Sequence, residues 1–267
     1  MESTEFARHG DVPLRLDLYR GPIGSPVVVY LHGGAWVVGT REDHRERLQG
    51  LADAGVTVAS IDYRLAGEVP YPAQREDIEV AVDWIIAAGI AAGSADIVLM
   101  GASAGAHLAA LTYLTSRYRF PGFVGLFGRY DLSSAVDHLR PLPGLSIPAE
   151  IIANTLPPGL ETPAARLAAL AGVSVDELSD EIALELSPVS HLIPGSPPML
   201  LLHGQADALV HHDHAAVFAE RAQHLGVPYE VVLIPDANHE DPIFDEPRYL
   251  RQIAHFVEQV TMAPEQK

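Results

Sequence analysis

Six short apolar runs punctuate the chain: Val27–Leu31, Val56–Ile61, Ile97–Met100, Phe123–Phe127, Met199–Leu202 and Tyr229–Ile234. Their hydrophobicity is continuous rather than alternating, as in strands that are covered on both faces. Such strands make a mainly parallel sheet, and parallel neighbours need a crossover long enough to hold a helix. The intervening text supplies those crossovers, with helices predicted over about 41–54, 74–92, 104–117, 212–225 and 247–261 and with Gly93 and Gly226 at C-cap positions. Ahead of the first run, Glu5–Arg8, a His9-Gly10-Asp11 turn and the alternating Val12, Leu14, Leu16 and Leu18 spell an antiparallel edge hairpin. The expected architecture is one α/β domain over residues 1–267, a mainly parallel eight-stranded sheet wound with helices on both faces. Its ligand site then belongs at the carboxyl ends of the strands.

One stretch breaks the alternation. From about 132 to 190 the text is rich in Pro and Leu, with helices predicted near 163–171 and 175–186. An insertion of this length between two strands is usually functional, so it is read as a cap over the site rather than a peripheral decoration.

At the end of the third run, Gly101-Ala102-Ser103-Ala104-Gly105 leads straight into the small-residue stretch Ala106–Leu114. A serine is a weak nucleophile until the backbone exposes its hydroxyl and a base takes its proton, and a sharp strand-to-helix turn accomplishes the first. Glycines two places to either side are the steric requirement, because side chains there would collide with strand and helix backbone. The pattern is short, and its weight comes from lying between a strand and a helix.

The rest of an acyl-transfer site follows in the required order. Met199–Leu202 ends in His203-Gly204-Gln205-Ala206-Asp207, and the last run ends in Pro235-Asp236-Ala237-Asn238-His239. Ser103, Asp207 and His239 thus sit at strand ends as nucleophile, orienting acid and base. Thirteen histidines compete for the base, and His239 is preferred because it follows the last strand and precedes the last helix. Asp131, also after a strand, remains the alternative acid. For the oxyanion, His32-Gly33-Gly34-Ala35 follows the first run, and the amides of Gly33, Gly34 and Ala104 are the expected donors. Trp36 next to that loop lines a substrate pocket or packs the loop; both readings stay open.

Composition narrows the classes further. With 35 acidic against 17 basic residues the formal charge is -18, which repels nucleic acid and anionic membrane alike. The chain contains no cysteine, excluding disulfides, thiolate catalysis and Cys-ligated metal. His211-His212-Asp213-His214 resembles a metal cluster, yet adjacent helical residues diverge, and a solvated helix start is the preferred reading, with no metal or cofactor expected. No run approaches the roughly 18 apolar residues of a membrane span, and the amino terminus lacks a basic, then apolar leader, so a cytoplasmic location is expected. Pairing of two copies through an edge strand or the final helix is compatible with the pattern.

Taken together, His32-Gly33-Gly34-Ala35-Trp36, Asp62-Tyr63-Arg64-Leu65, Tyr71-Pro72-Ala73-Gln74 through Asp77, the GASAG turn with His107-Leu108, His203-Gly204 through Asp207, and His239 resemble an α/β-hydrolase of the hormone-sensitive-lipase-like branch. The similarity is nearest to small bacterial esterases akin to feruloyl esterases and kynurenine formamidases. It departs at Ala35, where an HGGG loop has a third glycine. The resemblance implies a serine hydrolase of small-molecule carboxylic esters, with Asp62, Tyr63 and Arg64 as scaffold. An arylformamidase using the same residues is the alternative, and a non-catalytic ligand-binding protein on this scaffold is the rival from another class.

Overall fold

The computed structural model describes residues 1–133 and 156–262. Eight strands form a single sheet: β1 (Glu2–His9), β2 (Val12–Tyr19), β3 (Val27–Leu31), β4 (Thr57–Ile61), β5 (Ile97–Ala102), β6 (Phe123–Leu126), β7 (Met199–Gly204) and β8 (Tyr229–Ile234), in the order β1-β2-β4-β3-β5-β6-β7-β8. β2 runs antiparallel to both β1 and β4, and every other pairing is parallel. This is an α/β-hydrolase sheet, with the amino-terminal hairpin at its edge.

Continuous apolar strands are explained by two cores. Val27, Val29 and Leu31 of β3 and Ile97 and Leu99 of β5 face one core, while Val28, Tyr30, Val98 and Met100 face the other. The first core is covered by α2 (Ala73–Ala87), α3 (Ala104–Thr115) and α7 (Asp213–Leu225), the second by α1 (Arg45–Asp53) and α8 (Pro247–Met262). β8 departs from the expected pattern: of its residues only Ile234 is buried. It pairs on one side only, with β7, so its apolar run belongs to an edge strand.

Helix ends also move. α2 stops at Ala87 because Gly89 takes a left-handed φ of 68° there, whereas Gly93, the expected cap, is extended. α1 begins at Arg45, four residues later than its pattern implied. The segment expected as one helix near 175–186 is divided: Ser174 caps a 3-10 turn over Val175–Glu177, and Ser179 caps α5 (Asp180–Glu185) by accepting from the Ile182 amide.

Of the expected cap at about 132–190, residues 134–155 lie outside the described residues. The remainder carries α4 (Pro163–Ala171), α5 and the short α6 (Pro188–His191). Both ends of the insertion meet: the Leu132 amide donates to Ser187 Oγ at 2.6 Å, that hydroxyl donates to the Ala183 carbonyl at 2.7 Å, and the Val189 amide donates to the Tyr130 carbonyl at 2.9 Å. No helix of the described residues is long and apolar enough to cross a membrane.

Candidate active site

Ser103 sits in the turn between β5 and α3 at φ 52° and ψ -118°, a strained conformation for a residue with a side chain. The turn is possible because backbone passes where flanking side chains would be. A Cβ on Gly105 would lie 2.2 Å from the Leu31 carbonyl oxygen, and one on Gly101 would lie 2.3 Å from the Gly105 carbonyl carbon. The glycine requirement inferred from the sequence therefore has named obstacles.

The turn brings Ser103 within 2.9 Å (Oγ to Nε2) of His239, whose Nδ1 lies 2.7 Å from Asp207 Oδ2. These distances are those of hydrogen bonds running from hydroxyl to imidazole to carboxylate. Asp207 is buried, and its other oxygen accepts from the amides of Leu209 and Val210 at 2.9 and 2.8 Å. Burial alone would raise its pKa, but hydrogen bonds from His203 and His239 and the Val210 amide outweigh burial and hold it well below the usual carboxylate range. Asp207 is thus an ionised acceptor that fixes a proton on Nδ1 of His239 and leaves Nε2 free to accept. The alternative acid is placed elsewhere: Asp131 Oδ1 accepts from the amide and hydroxyl of Ser133.

Neighbours hold the histidine loop. Asn238 Oδ1 accepts from the Ala208 and His239 amides, joining the Asp207 loop to the His239 loop. The His239 ring meets Phe127 edge-on at 4.8 Å, and fully buried Arg47 lies 5.7 Å from the Phe127 ring centre while its Nε donates to Asp245 at 2.5 Å. His203 was quoted in the sequence as part of a motif without a role. Its Nε2 is 3.2 Å from Asp207 Oδ2 and 2.8 Å from the Val210 carbonyl, both acceptors, so this nitrogen carries a hydrogen and supports the carboxylate. The strand end that carries His203 is visible in sequence; the return of Val210 onto it is not.

The glycine loop after β3 faces the serine. A Cβ on Gly33 would come within 3.4 Å of Ser103 Cβ, and Gly34 at φ 113° could carry none without meeting the Val38 carbonyl oxygen at 2.0 Å. Among the described residues, no hydrogen bond engages the amides of Gly33, Gly34 or Ala104. Scaffold residues brace the loop from behind. Tyr63 stacks on His32 at 4.3 Å and donates to its carbonyl at 2.8 Å, while Asp62 ties Arg41 to the Arg15 amide and Arg64 closes on Asp77.

Trp36 is buried. It lines a cleft beside Ser103 together with Ala35, Ala104, Arg129, Pro163, Arg166, Leu209 and Val210, and its indole Nε1–H donates to His107 Nδ1 at 3.1 Å. His107 in turn donates from Nε2 to the Leu186 carbonyl at 2.7 Å. Burial pushes this imidazole down to about 4, the Leu186 carbonyl opposing and Arg129 adding slightly to the fall. Of the four-residue histidine cluster, His211, His212 and Asp213 bring ligand atoms within 4.8 Å of one another, but His211 is already engaged with Asp213 at 2.9 Å.

Comparison with known proteins bears on the fold and the family. The BD-FAE family model matches residues 16–222. A probable isoprenylcysteine alpha-carbonyl methylesterase of Arabidopsis thaliana is 30% identical over 90% of this chain and 51% of its own. The esterase LipC of Mycobacterium tuberculosis is 27% identical over 94% of this chain and 62% of its own. The chain therefore spans about half to three-fifths of the length of these curated relatives. A truncated carbohydrate esterase from gut microbiota superposes with a TM-score of 0.76 at 19% identity over 98% of this chain and 97% of that one, showing the shared fold. With the matched residues running from β2 into α7, the chain belongs to the BD-FAE family.

Proposed function

We propose that this protein is a serine hydrolase of carboxylic esters that works through an acyl-enzyme. The observation that carries the reading is the hydrogen-bonded chain from Ser103 Oγ through His239 to the ionised, buried Asp207. Ser103 Oγ attacks the ester carbonyl while His239 Nε2 takes its proton, and Asp207 holds the tautomer and stabilises the imidazolium. Negative charge then develops on the carbonyl oxygen, where the amides of Gly33, Gly34 and Ala104 are the donors. The alcohol leaves with the proton from His239. Water, deprotonated by the same nitrogen, attacks the acyl-enzyme and releases the acid, restoring Ser103. The partner is a small-molecule ester, and the similar proteins, a probable methylesterase and an esterase, point the same way. The insertion acts as a cap, a reading supported by Pro163 and Arg166 of α4 in the lining of the cleft.

Ser103→Ala should abolish turnover of short p-nitrophenyl esters and labelling by a fluorophosphonate. Undiminished labelling of that variant would overturn the reading.

A further inference from the structure

Two arginines line the cleft beside Ser103, and neither meets a carboxylate within the described residues. Arg129, just past β6, donates from Nη2 to the Leu209 carbonyl at 3.2 Å. Arg166, on α4, donates from Nη1 to the carbonyls of Leu160 and Glu161 at 3.3 and 3.2 Å. Neither forms an ion pair with a described acidic residue, in a chain with twice as many acidic as basic residues. Arg41, Arg47 and Arg64, by contrast, close on Asp17 and Asp62, on Asp245, and on Asp77.

Their placement has a recognisable cost. Burial first, and then the like charge of Arg166, bring the pKa of Arg129 down to about 10 against an opposing pull from Asp207; burial also lowers Arg166. Two guanidinium groups close enough to repel, partly removed from water and held by neutral carbonyls, make a place for an anion. A planar carboxylate matches the fork of either one. The remaining lining, Ala35, Trp36, Ala104, Pro163, Leu209 and Val210, is largely apolar, suited to a short carbon chain.

The side of the ester that enters can be argued from the lining. The cleft includes Ser103 and the oxyanion-loop residues Ala35 and Trp36, but not His239. The departing alcohol must reach His239 Nε2 for its proton, so the cleft away from that nitrogen takes the acyl group.

We infer that the preferred substrates are esters whose acyl chain ends in a carboxylate, half-esters of short dicarboxylic acids, with Arg129 and Arg166 binding the free acid end. This rests on the ester-hydrolase reading above. Hydrolysis adds water across the ester bond, so that a monomethyl half-ester yields the dicarboxylate and methanol, with no further reactant.

The experiment compares monomethyl succinate with methyl 4-oxopentanoate, an uncharged ester of the same length, by methanol release at low salt. The full chain should favour the half-ester by roughly 10- to 100-fold in kcat/KM, the range of a charge-assisted hydrogen-bonded contact. In R166Q that ratio should fall towards one, chiefly through KM for the half-ester. R129Q should lower it too, and R166K should restore part of it; a purely structural role for either arginine would depress both esters equally. As a readout independent of turnover, monomethyl succinate should bind S103A by calorimetry and the neutral ester should not. A wild-type ratio at or below one, or equal binding of both esters to S103A, overturns the inference while fluorophosphonate labelling of Ser103 leaves the hydrolase reading standing. Loss of that labelling as well as of turnover would bring down both.

Discussion

His107 links three parts of the structure: the Trp36 indole beside the glycine loop, the helix behind Ser103, and the Leu186 carbonyl of the insertion. Its environment makes a quantitative prediction. An imidazole that titrates near 6.5 in the unfolded chain titrates at about 4 in the fold. Between those values the unfolded chain binds a proton that the folded one refuses. Stability from this residue is therefore complete above about pH 6.5 and drains away as pH falls through 6.5 towards 4. Integrated from pH 7 to pH 4.5 the loss is about 2.5 kcal/mol, a large share of a typical domain's stability. His107→Gln removes the titration while keeping an N–H for the Leu186 carbonyl. At pH 7 the variant should be less stable, by about 1–3 kcal/mol, because the buried Trp36 donor loses its acceptor. On acidification the gap should narrow by about 2.5 kcal/mol by pH 4.5, reversing where the deficit at pH 7 is smaller than that. Urea unfolding of both proteins at half-unit pH steps, followed by far-ultraviolet circular dichroism, measures the difference directly. Other groups, including buried His32, whose pKa is likewise lowered by burial, act in both proteins and cancel. Parallel stability curves over pH 4.5–7 would refute the reasoning.

Two further outcomes follow from the geometry. His203→Ala removes a donor to Asp207 and should cut kcat by roughly 10- to 100-fold with little change in KM, whereas His203→Gln, which can place an N–H towards the carboxylate, should recover part of the loss; identical effects of both variants would show that packing alone is at stake. Gly105→Ala places a methyl group 2.2 Å from the Leu31 carbonyl oxygen, so the turn must open: it should destabilise the fold by about 1–3 kcal/mol or more and displace Ser103, and an unchanged melting temperature with normal fluorophosphonate labelling would contradict the steric account.

How much of this was legible in the sequence depends on whether the cause is local. Gly101, Ser103 and Gly105 could be recognised because the obstruction comes from the turn itself and the strand beside it. Asp207 and His239 could be placed because each directly follows a strand, and parallel strands deliver their ends to one edge. Sheet order is a different matter. The apolar run of β8 looks like a covered strand, and only its position at the edge leaves most of it open. The role of His203 depends on a loop that returns Val210 to it. Arg129 and Arg166 lie on different elements and come together only as lining of one cleft. The end of α2 turned on Gly89 rather than Gly93, two residues of equal permissiveness of which Gly89 takes the left-handed conformation and Gly93 the extended one.

The clasp of Leu132, Ser187 and Val189 bears on how the insertion between them can vary. Residues 132 and 187 are joined through one serine hydroxyl, next to the Tyr130–Val189 bond. Whatever chain hangs between them begins and ends at a fixed point on the scaffold. Once the ends of a loop are pinned, doubling its length adds only on the order of 0.6 kcal/mol of closure entropy. Exchanges within the insertion can thus alter the cleft that Pro163 and Arg166 line while β6 and β7 keep their register and His239 keeps its distance. On the ester-hydrolase reading proposed above, substrate range and chemistry then reside in different segments, and Ser187 is the stitch between them.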